Sequence, residues 1–355
     1  MTRLLIAGGG PAGAAAACGL ARAGARVTVL ERSVGPTDKI CGDFLSVEAQ
    51  HYLARLGLDP AALGGQAIGQ VRLVRGAHVV QAALPFRGLG LSRRVLDEAL
   101  LHHAAALGAE VRRGETVPRL SPEIRFLATG KHDLHAAGRV LSSAPEPLVG
   151  FKTYFRLAPE QMEALAGAVE VILFADGYAG LQPVEGGRAN LCLLVHRDRL
   201  ARIGGSWAAL LDDLRASSPH LHARLAGAAP LLARPLTIAR VPYGFLHTPA
   251  PSETVFRLGD QACVTPSFSG DGMAIALHSA ALAVRCHLAG HPPQHYHQHL
   301  RRDVAGPMRR AGTIQLLGRG TIGQALLFQA LRLWPGLIRR IATATRIAAP
   351  AWLDG

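Results

Sequence analysis

The stretch LIAGGGPAGAAAACGLARAGARVTVLER, residues 5–32, decides the fold. An apolar run, LLIA, leads into a glycine-rich turn, a small-residue segment through Arg22, and a second apolar run, VTVLE. That order predicts strand, turn, helix and parallel strand, the start of a doubly wound sheet. Gly8, Gly10 and Gly13 satisfy G-x-G-x-x-G. Gly8 permits the tight turn, Gly10 lets backbone N–H groups approach a pyrophosphate, and Gly13 lets helix and sheet pack closely. Pro11 suits a first helical turn, and Ala12 continues it. Glu31, at the end of the second strand, is placed to accept from a ribose 2′-hydroxyl and would repel a 2′-phosphate, which argues against NADP in this position.

Working outward, SVEAQHYLARLGL (46–58) predicts a helix and QVRLVRGAHVVQAALPF (70–86) a hairpin turning at Gly76. RVLDEALLHHAAALGAEVRRG (94–114) predicts a helix closed at Gly108 and a strand, with another strand at 123–130. From 150 to 196 the pattern is strand, turn, strand, turn, strand, with ADGYAG and EGGRAN as turns. A strand at 254–262, a helix at 272–290 and a basic helical tail broken at Pro335 follow. The expected architecture is α/β with an α+β insert. A Rossmann-like nucleotide domain (1–69, 87–149 and 251–300) is interleaved with an antiparallel sheet domain (70–86 and 150–250), and a helical segment (301–355) ends the chain.

Composition narrows the function. Hydrophobic residues at 49% and charged residues at 18% fit a folded core rather than disorder. The net charge of +13 invites anionic partners, but aromatic residues at 5% are too sparse for a base-stacking platform, so nucleic acid is not expected. Five cysteines without a C-x-x-C pair point to a reducing compartment. No apolar run reaches membrane-spanning length, so a cytoplasmic protein is expected. The tail QALLFQALRLWPGLIRRI (324–341) reads either as an interfacial helix giving peripheral membrane contact or as a cover packed on the body. HPPQHYHQH (291–299) reads as a surface segment, and no metal site is expected.

A second constellation, LGDQACVTPSFSGDGMAIAL (258–277), favours FAD over NAD. Gly259-Asp260 closes a strand with an acid suited to sugar hydroxyls. Ser269-Gly270-Asp271-Gly272-Met273 opens a helix whose N–H groups suit a developing anion on a reduced flavin ring.

With GGGPAG, LSRRVLDEALL (91–101), Gly259-Asp260 and PSFSGDGMAIAL (266–277) in view, the first 300 or so residues resemble one flavoprotein superfamily. It contains p-hydroxybenzoate hydroxylase-type monooxygenases, geranylgeranyl reductases and flavin-dependent halogenases. The resemblance implies that Glu31 binds the adenosine ribose and that Arg32 lies beside the adenylate. It places Arg93 along the cofactor, Val117 at the adenine through its backbone, and Asp260 at the ribityl or pyrophosphate region. KICGDFLSVEAQHYLARLGL (39–58) is similar to geranylgeranyl reductases, in which a Cys-Gly pair, here Cys41-Gly42, lies near the flavin. Thr129-Gly130 stands where the hydroxylase pattern has Asp-Gly, which weakens the transfer of NAD(P)H contacts. Trp207, Trp334 and Trp352 make no W-x-W motif, which disfavours halogenation.

The resemblance implies an FAD-dependent oxidoreductase with NAD(P)H as transient electron donor. Oxygenation of a hydrophobic, polyketide-like, aromatic or isoprenoid molecule is the first expectation. Alkene reduction and non-catalytic flavin binding are the alternatives. The inserted sheet should roof the flavin, with Tyr154, Phe155, Tyr178, Gln182 and Asn190 as candidate pocket residues. Asp176-Gly177 reads as a turn, and no general acid or base is assigned.

Overall fold

The computed structural model describes residues 3–135, 138–141, 145–318, 320–349 and 351. Trp352 lies outside them.

Along the chain, β1 (Leu4–Ala7), α1 (Pro11–Arg22) and β2 (Val27–Glu31) form the opening unit. There follow β3 (Phe44–Leu45), α2 (Val47–Arg55), β4 (Gln66–Arg75), β5 (His78–Gly90), α3 (Arg93–Ala106), β6 (Glu110–Arg113) and β7 (Ile124–Leu127). The insert comprises β8 (Leu148–Arg156), α4 (Pro159–Leu165), β9 (Gly167–Phe174), β10 (Gly177–Val184), β11 (Arg188–His196), α5 (Arg197–Arg202), α6 (Trp207–Ser217), α7 (Pro219–Arg224), β12 (Ala229–Pro230) and β13 (Leu236–Ala239). The chain returns through β14 (Phe256–Arg257), α8 (Gly272–Leu288), α9 (Pro293–Leu317), α10 (Thr321–Leu333) and α11 (Gly336–Ala344).

The first sheet runs β14-β7-β1-β2-β6, parallel throughout, with Ile6 opposite Val29. The second runs β12-β8-β11-β10-β9-β4-β5-β3, with β13 also on β8. Its one parallel pair joins β4 to β9, so the 66–90 hairpin and the later meander make one roof. Several boundaries differ from expectation. The hairpin begins at Gln66 rather than 70, the last parallel strand stops at Arg257, and α9 crosses the expected boundary at 300 without interruption. Helices α4 to α7, not read from the sequence, cover one side of the roof. Leu165, Leu210, Leu214 and Leu221 pack there on Phe151, Ile172 and Leu193.

Small residues set the approach of α1 to α8. A Cβ at Gly19 would lie 3.2 Å from Val284, and one at Gly259 would lie 3.3 Å from Ala12 and 3.6 Å from Ala276. Ala12 and Ala276 therefore meet near the helix starts, and Gly19 and Val284 further along. The two helices run in the same direction and present their N-termini at the same end.

Candidate FAD site

Those paired N-termini bring the two glycine constellations together. Gly8 has φ +101°, and a Cβ there would strike the Ala128 carbonyl oxygen at 2.4 Å. A Cβ at Gly13 would lie 1.9 Å from the Gly8 carbonyl, so both positions require glycine. Pro11 opens α1, Gly10 is its N-cap, and no acid occupies its first turn, which leaves the positive end of the helix free for an anion.

Glu31 is buried, and its carboxylate accepts from the backbone N–H of Gly9 at 2.7 Å and of Ser33 at 2.9 Å. Burial alone would raise its pKa. The two N–H donors and Lys39, 3.7 Å away, outweigh burial and hold it below the usual carboxylate range. A shallow groove beside it is lined by Gly9, Ser33, Thr37, Lys39, Arg94 and Asp97. Arg32 is exposed beyond that groove.

Arg93 lies under Gly10, its Nη2 3.2 Å from where a Cβ would be. Asp97 grips the guanidinium at 2.6 and 2.7 Å, the ion pair of the R-x-x-L-D pattern. Val117 packs its side chain with Ile124 and Leu127. Thr129 donates to the His132 carbonyl at 2.7 Å, which closes the turn that carries Lys131. Lys131, which the sequence did not single out, pairs with Asp260 at 3.0 Å, and that charge outweighs burial and raises its pKa. An ammonium at this point suits a pyrophosphate; its only local signal was the displaced Asp-Gly motif.

At the other mouth, Gly259 (φ +54°) donates its N–H to Ser279 at 2.9 Å, and Gly270 (φ +72°) bends the chain into α8. Gly272 begins the helix and Met273 is buried under it. Asp271 is the N-cap residue and almost wholly buried. Its Oδ1 accepts from Arg346 at 2.8 Å, while its Oδ2 has no partner among the described residues. Burial pushes this carboxyl up to about 7, despite the pull of Arg346. Arg346 also meets Glu48 at 3.2 Å and lies over the Phe86 ring at 4.0 Å. The C-terminal segment thus reaches back to the loop that opens α8.

Roof and nucleotide domain are joined at the loop Lys39–Phe44. Asp43 adopts φ +58°, a region an Asp tolerates better than most residues, and is fully buried. Lys152, also fully buried, donates to both Asp43 oxygens at 2.7 and 2.8 Å and to the Lys39 carbonyl at 2.9 Å. Tyr154 donates to Asp43 at 2.7 Å. Gln182 donates to the Asp43 carbonyl at 2.8 Å, and Asn190 to the Gly42 carbonyl at 2.8 Å. Burial raises the Asp43 pKa, and Lys152 is the strongest opposing influence.

Tyr154 and Gln182 were expected to face substrate; the structure instead commits both to positioning this loop, because their polar ends meet buried acceptors. Phe155 belongs to the core beneath α6. Cys41 is half-buried, its Sγ accepting from the Asp43 N–H at 3.4 Å, and Gly42 is exposed. Tyr178 alone of the roof candidates lies at a half-open rim. Its hydroxyl meets Ser267 at 2.6 Å, and Tyr243 shares that serine. Burial raises both phenols and pushes the nearby Cys192 thiol up to about 12. Asp176 (φ +59°) sits in a turn and pairs with exposed Arg202.

The histidine segment departs from the surface reading. His291, just ahead of α9, stacks on His295, and His299 lies one turn further along the helix, but His297 is buried. Among the described residues, His247, Glu253 and His297 place ligand atoms within 4.8 Å of one another. Arg257 holds Glu253 at 2.8 Å, and burial, with His247 and Arg257 adding to it, pushes His297 down to about 3. Glu253 pairs with both His247 at 2.9 Å and Arg257 at 2.8 Å, so the trio forms a hydrogen-bonded ion-pair cluster.

Comparison with known proteins agrees with this geometry. Residues 1–136 match the family described as FAD binding domain. The first third of the chain is thus an FAD-binding domain by sequence. Over 55 residues it is 47% identical to menaquinone reductase of Mycolicibacterium smegmatis, a match covering 16% of this chain and 13% of that protein. Over 129 residues it is 30% identical to conditioned medium factor receptor 1 of Dictyostelium discoideum, covering 31% and 24%. The chain therefore spans a quarter or less of these curated relatives. The fold is similar to the flavin-dependent brominase Bmp2 (TM-score 0.75, 15% identity, 99% of this chain and 96% of that one). It is also similar to the flavin-dependent halogenase CmlS (0.71, 21%, 89% and 64%) and to a mutant of Pseudomonas aeruginosa PqsL (0.71, 17%, 89% and 95%).

The residues present fit FAD. Two parallel helix mouths, an ionised Glu31, the Arg93 and Lys131 cations and the partnerless Asp271 oxygen supply what a long dinucleotide needs.

Proposed function

We propose that this flavoprotein is a monooxygenase acting on a hydrophobic small molecule, polyketide-like, aromatic or isoprenoid, with NAD(P)H as transient electron donor. The observation that carries the reading is the closure of the roof onto one loop. Lys152, Tyr154, Gln182 and Asn190 all end on residues 39–43, so the sheet is anchored on the loop that adjoins the glycine-rich site. Bound FAD would supply the redox chemistry. This chain's residues would hold the dinucleotide, keep the loop rigid and exclude water. The groups at the rim, Tyr178, Tyr243 and Cys192, stay uncharged at neutral pH, which suits an apolar substrate.

One observation favours a second reading, reduction of an alkene in a prenyl chain. KICGDFLS is similar to geranylgeranyl reductases, and the 55-residue match is to a protein named menaquinone reductase. The experiment reduces the FAD-bound protein anaerobically and then offers hydrophobic phenols, polyketides or menaquinone, with and without ¹⁸O₂. Product carrying ¹⁸O supports oxygenation. Product gaining two hydrogens without oxygen supports reduction and overturns oxygenation. Flavin that NAD(P)H never reduces, with every ligand, overturns both.

A further inference from the structure

Helix α10 is apolar on two faces. Its inner face sets Phe328 and Leu331 against Leu73 and Val80 of the roof, joined by Ile338 of α11. Its outer face presents Ile322, Leu326 and Leu333, each more than two-thirds exposed, and Trp334 follows at the helix end. Positions 322, 326 and 333 fall within about 40° of one another on a 3.6-residue turn, so they form one stripe. Leu316 and Leu317, exposed at the end of α9, extend it. The inner face already secures the helix, so folding does not require the outer one to be apolar.

Charge indicates the occupant. Between Asp303 and Asp354 the sequence has no acidic residue and seven arginines. Arg309, Arg310, Arg332, Arg339 and Arg340 are exposed. An apolar stripe with a tryptophan at its end and arginines around it has the make-up of a helix lying in a lipid headgroup region. Among the described residues no helix is long and apolar enough to cross a membrane, and α10 has 13 residues.

We propose that the end of α9 and the outer face of α10 dock on an anionic bilayer surface, with α10 parallel to the membrane plane. The leucines and Ile322 enter the acyl boundary, and the arginines meet lipid phosphates. This surface does not rest on the oxygenation reading.

The test is co-sedimentation of the FAD-bound, full-length protein with phosphatidylcholine vesicles, with and without phosphatidylglycerol. Binding to the anionic vesicles alone, released by added salt, is expected. Leu326→Glu should weaken it roughly tenfold or more while keeping FAD absorbance. Leu288→Glu, equally a surface leucine but at the far end of α8, should leave it unchanged. Failure of the wild-type protein to bind anionic vesicles at low salt overturns the proposal, as does equal binding by Leu326→Glu. Light scattering that finds a dimer split by Leu326→Glu, without vesicle binding, assigns the face to a second copy and overturns it too.

Discussion

Replacing Arg346 with methionine keeps the length of the side chain and removes its charge. Asp271, 2.8 Å away, and Glu48, 3.2 Å away, would then share a buried space without their cation. Removing one partner of a buried ion cluster costs about 3–5 kcal/mol when the remaining charge cannot neutralise. Asp271 can neutralise, so the cost depends on pH. Its carboxyl rises from 3.8 to about 7 on folding, so the stability this group contributes is fully present below pH 4 and is lost as pH climbs through 7. That loss is on the order of 4 kcal/mol. Arg346 lowers this pKa, so the methionine variant titrates higher still. Below pH 6 both proteins hold a neutral Asp271, and the variant should lose only about 1–2 kcal/mol for that missing hydrogen bond, beside the cost of leaving buried Glu48 without Arg346, which it bears at both pH values. Above pH 7 the wild-type curve levels off while the variant keeps losing about 1.4 kcal/mol per pH unit until its own pKa is reached.

Urea unfolding of FAD-free protein at pH 6 and pH 8.5 measures this difference directly. Because Asp271 begins α8, the variant should also bind FAD roughly tenfold more weakly at pH 8.5, about 1.4 kcal/mol. Arg346→Lys should recover part of both. A variant equally destabilised at the two pH values, or within about 0.5 kcal/mol of wild type at both, refutes the coupling of the C-terminal segment to the SGDG loop.

Three further outcomes are expected. Glu170 is fully buried and bonded to Arg72, His220 and Arg224; these partners outweigh burial and bring it to about 2. It therefore contributes on the order of 3 kcal/mol above pH 4.5, lost as pH falls toward 2, and Glu170→Gln should remove that dependence from acid unfolding curves. Gly13→Ala drives a Cβ to 1.9 Å from the Gly8 carbonyl, so the purified variant should be colourless, and stoichiometric flavin in it would count against the site. Lys152→Met and Asp43→Leu should each cost about 3–5 kcal/mol, and the double variant less than their sum by a few kcal/mol, since it leaves no buried charge unpaired.

The opening unit was legible because its determinants are local. Gly8, Gly10, Gly13 and Glu31 lie within one strand-turn-helix-strand, and β2 begins and ends where VTVLE does. The β9–β11 meander was equally plain, since Asp176 and the Gly186-Gly187 pair mark its turns with positive φ. Helices α4 to α7 are short, and although Ser206 caps α6 and Leu210 and Leu214 form its buried stripe, two or three apolar positions make a weak period beside the long alternating strands.

The residues that join the parts were not legible, and the reason is physical. Lys152 lies in GFKTYF, where alternation predicts half-buried positions but cannot say what a lysine would meet. Its partner Asp43 is 109 residues away and turns inward only because its backbone enters the left-handed region. Arg346 meets Asp271 across 75 residues and Glu48 across 298. Buried charges are stable only as sets, so each of these residues, read alone, looks like a surface group. The informative signal is the conflict itself. A lysine between Phe151 and Tyr154 in a strand, or an arginine following the apolar face of a short terminal helix, needs a buried carboxylate somewhere. KICGDF and SGDG offer acids held in glycine-rich turns rather than on solvent-facing helices. Pairing such conflicts with such acids links the roof and the tail to the two glycine-rich loops from the sequence alone.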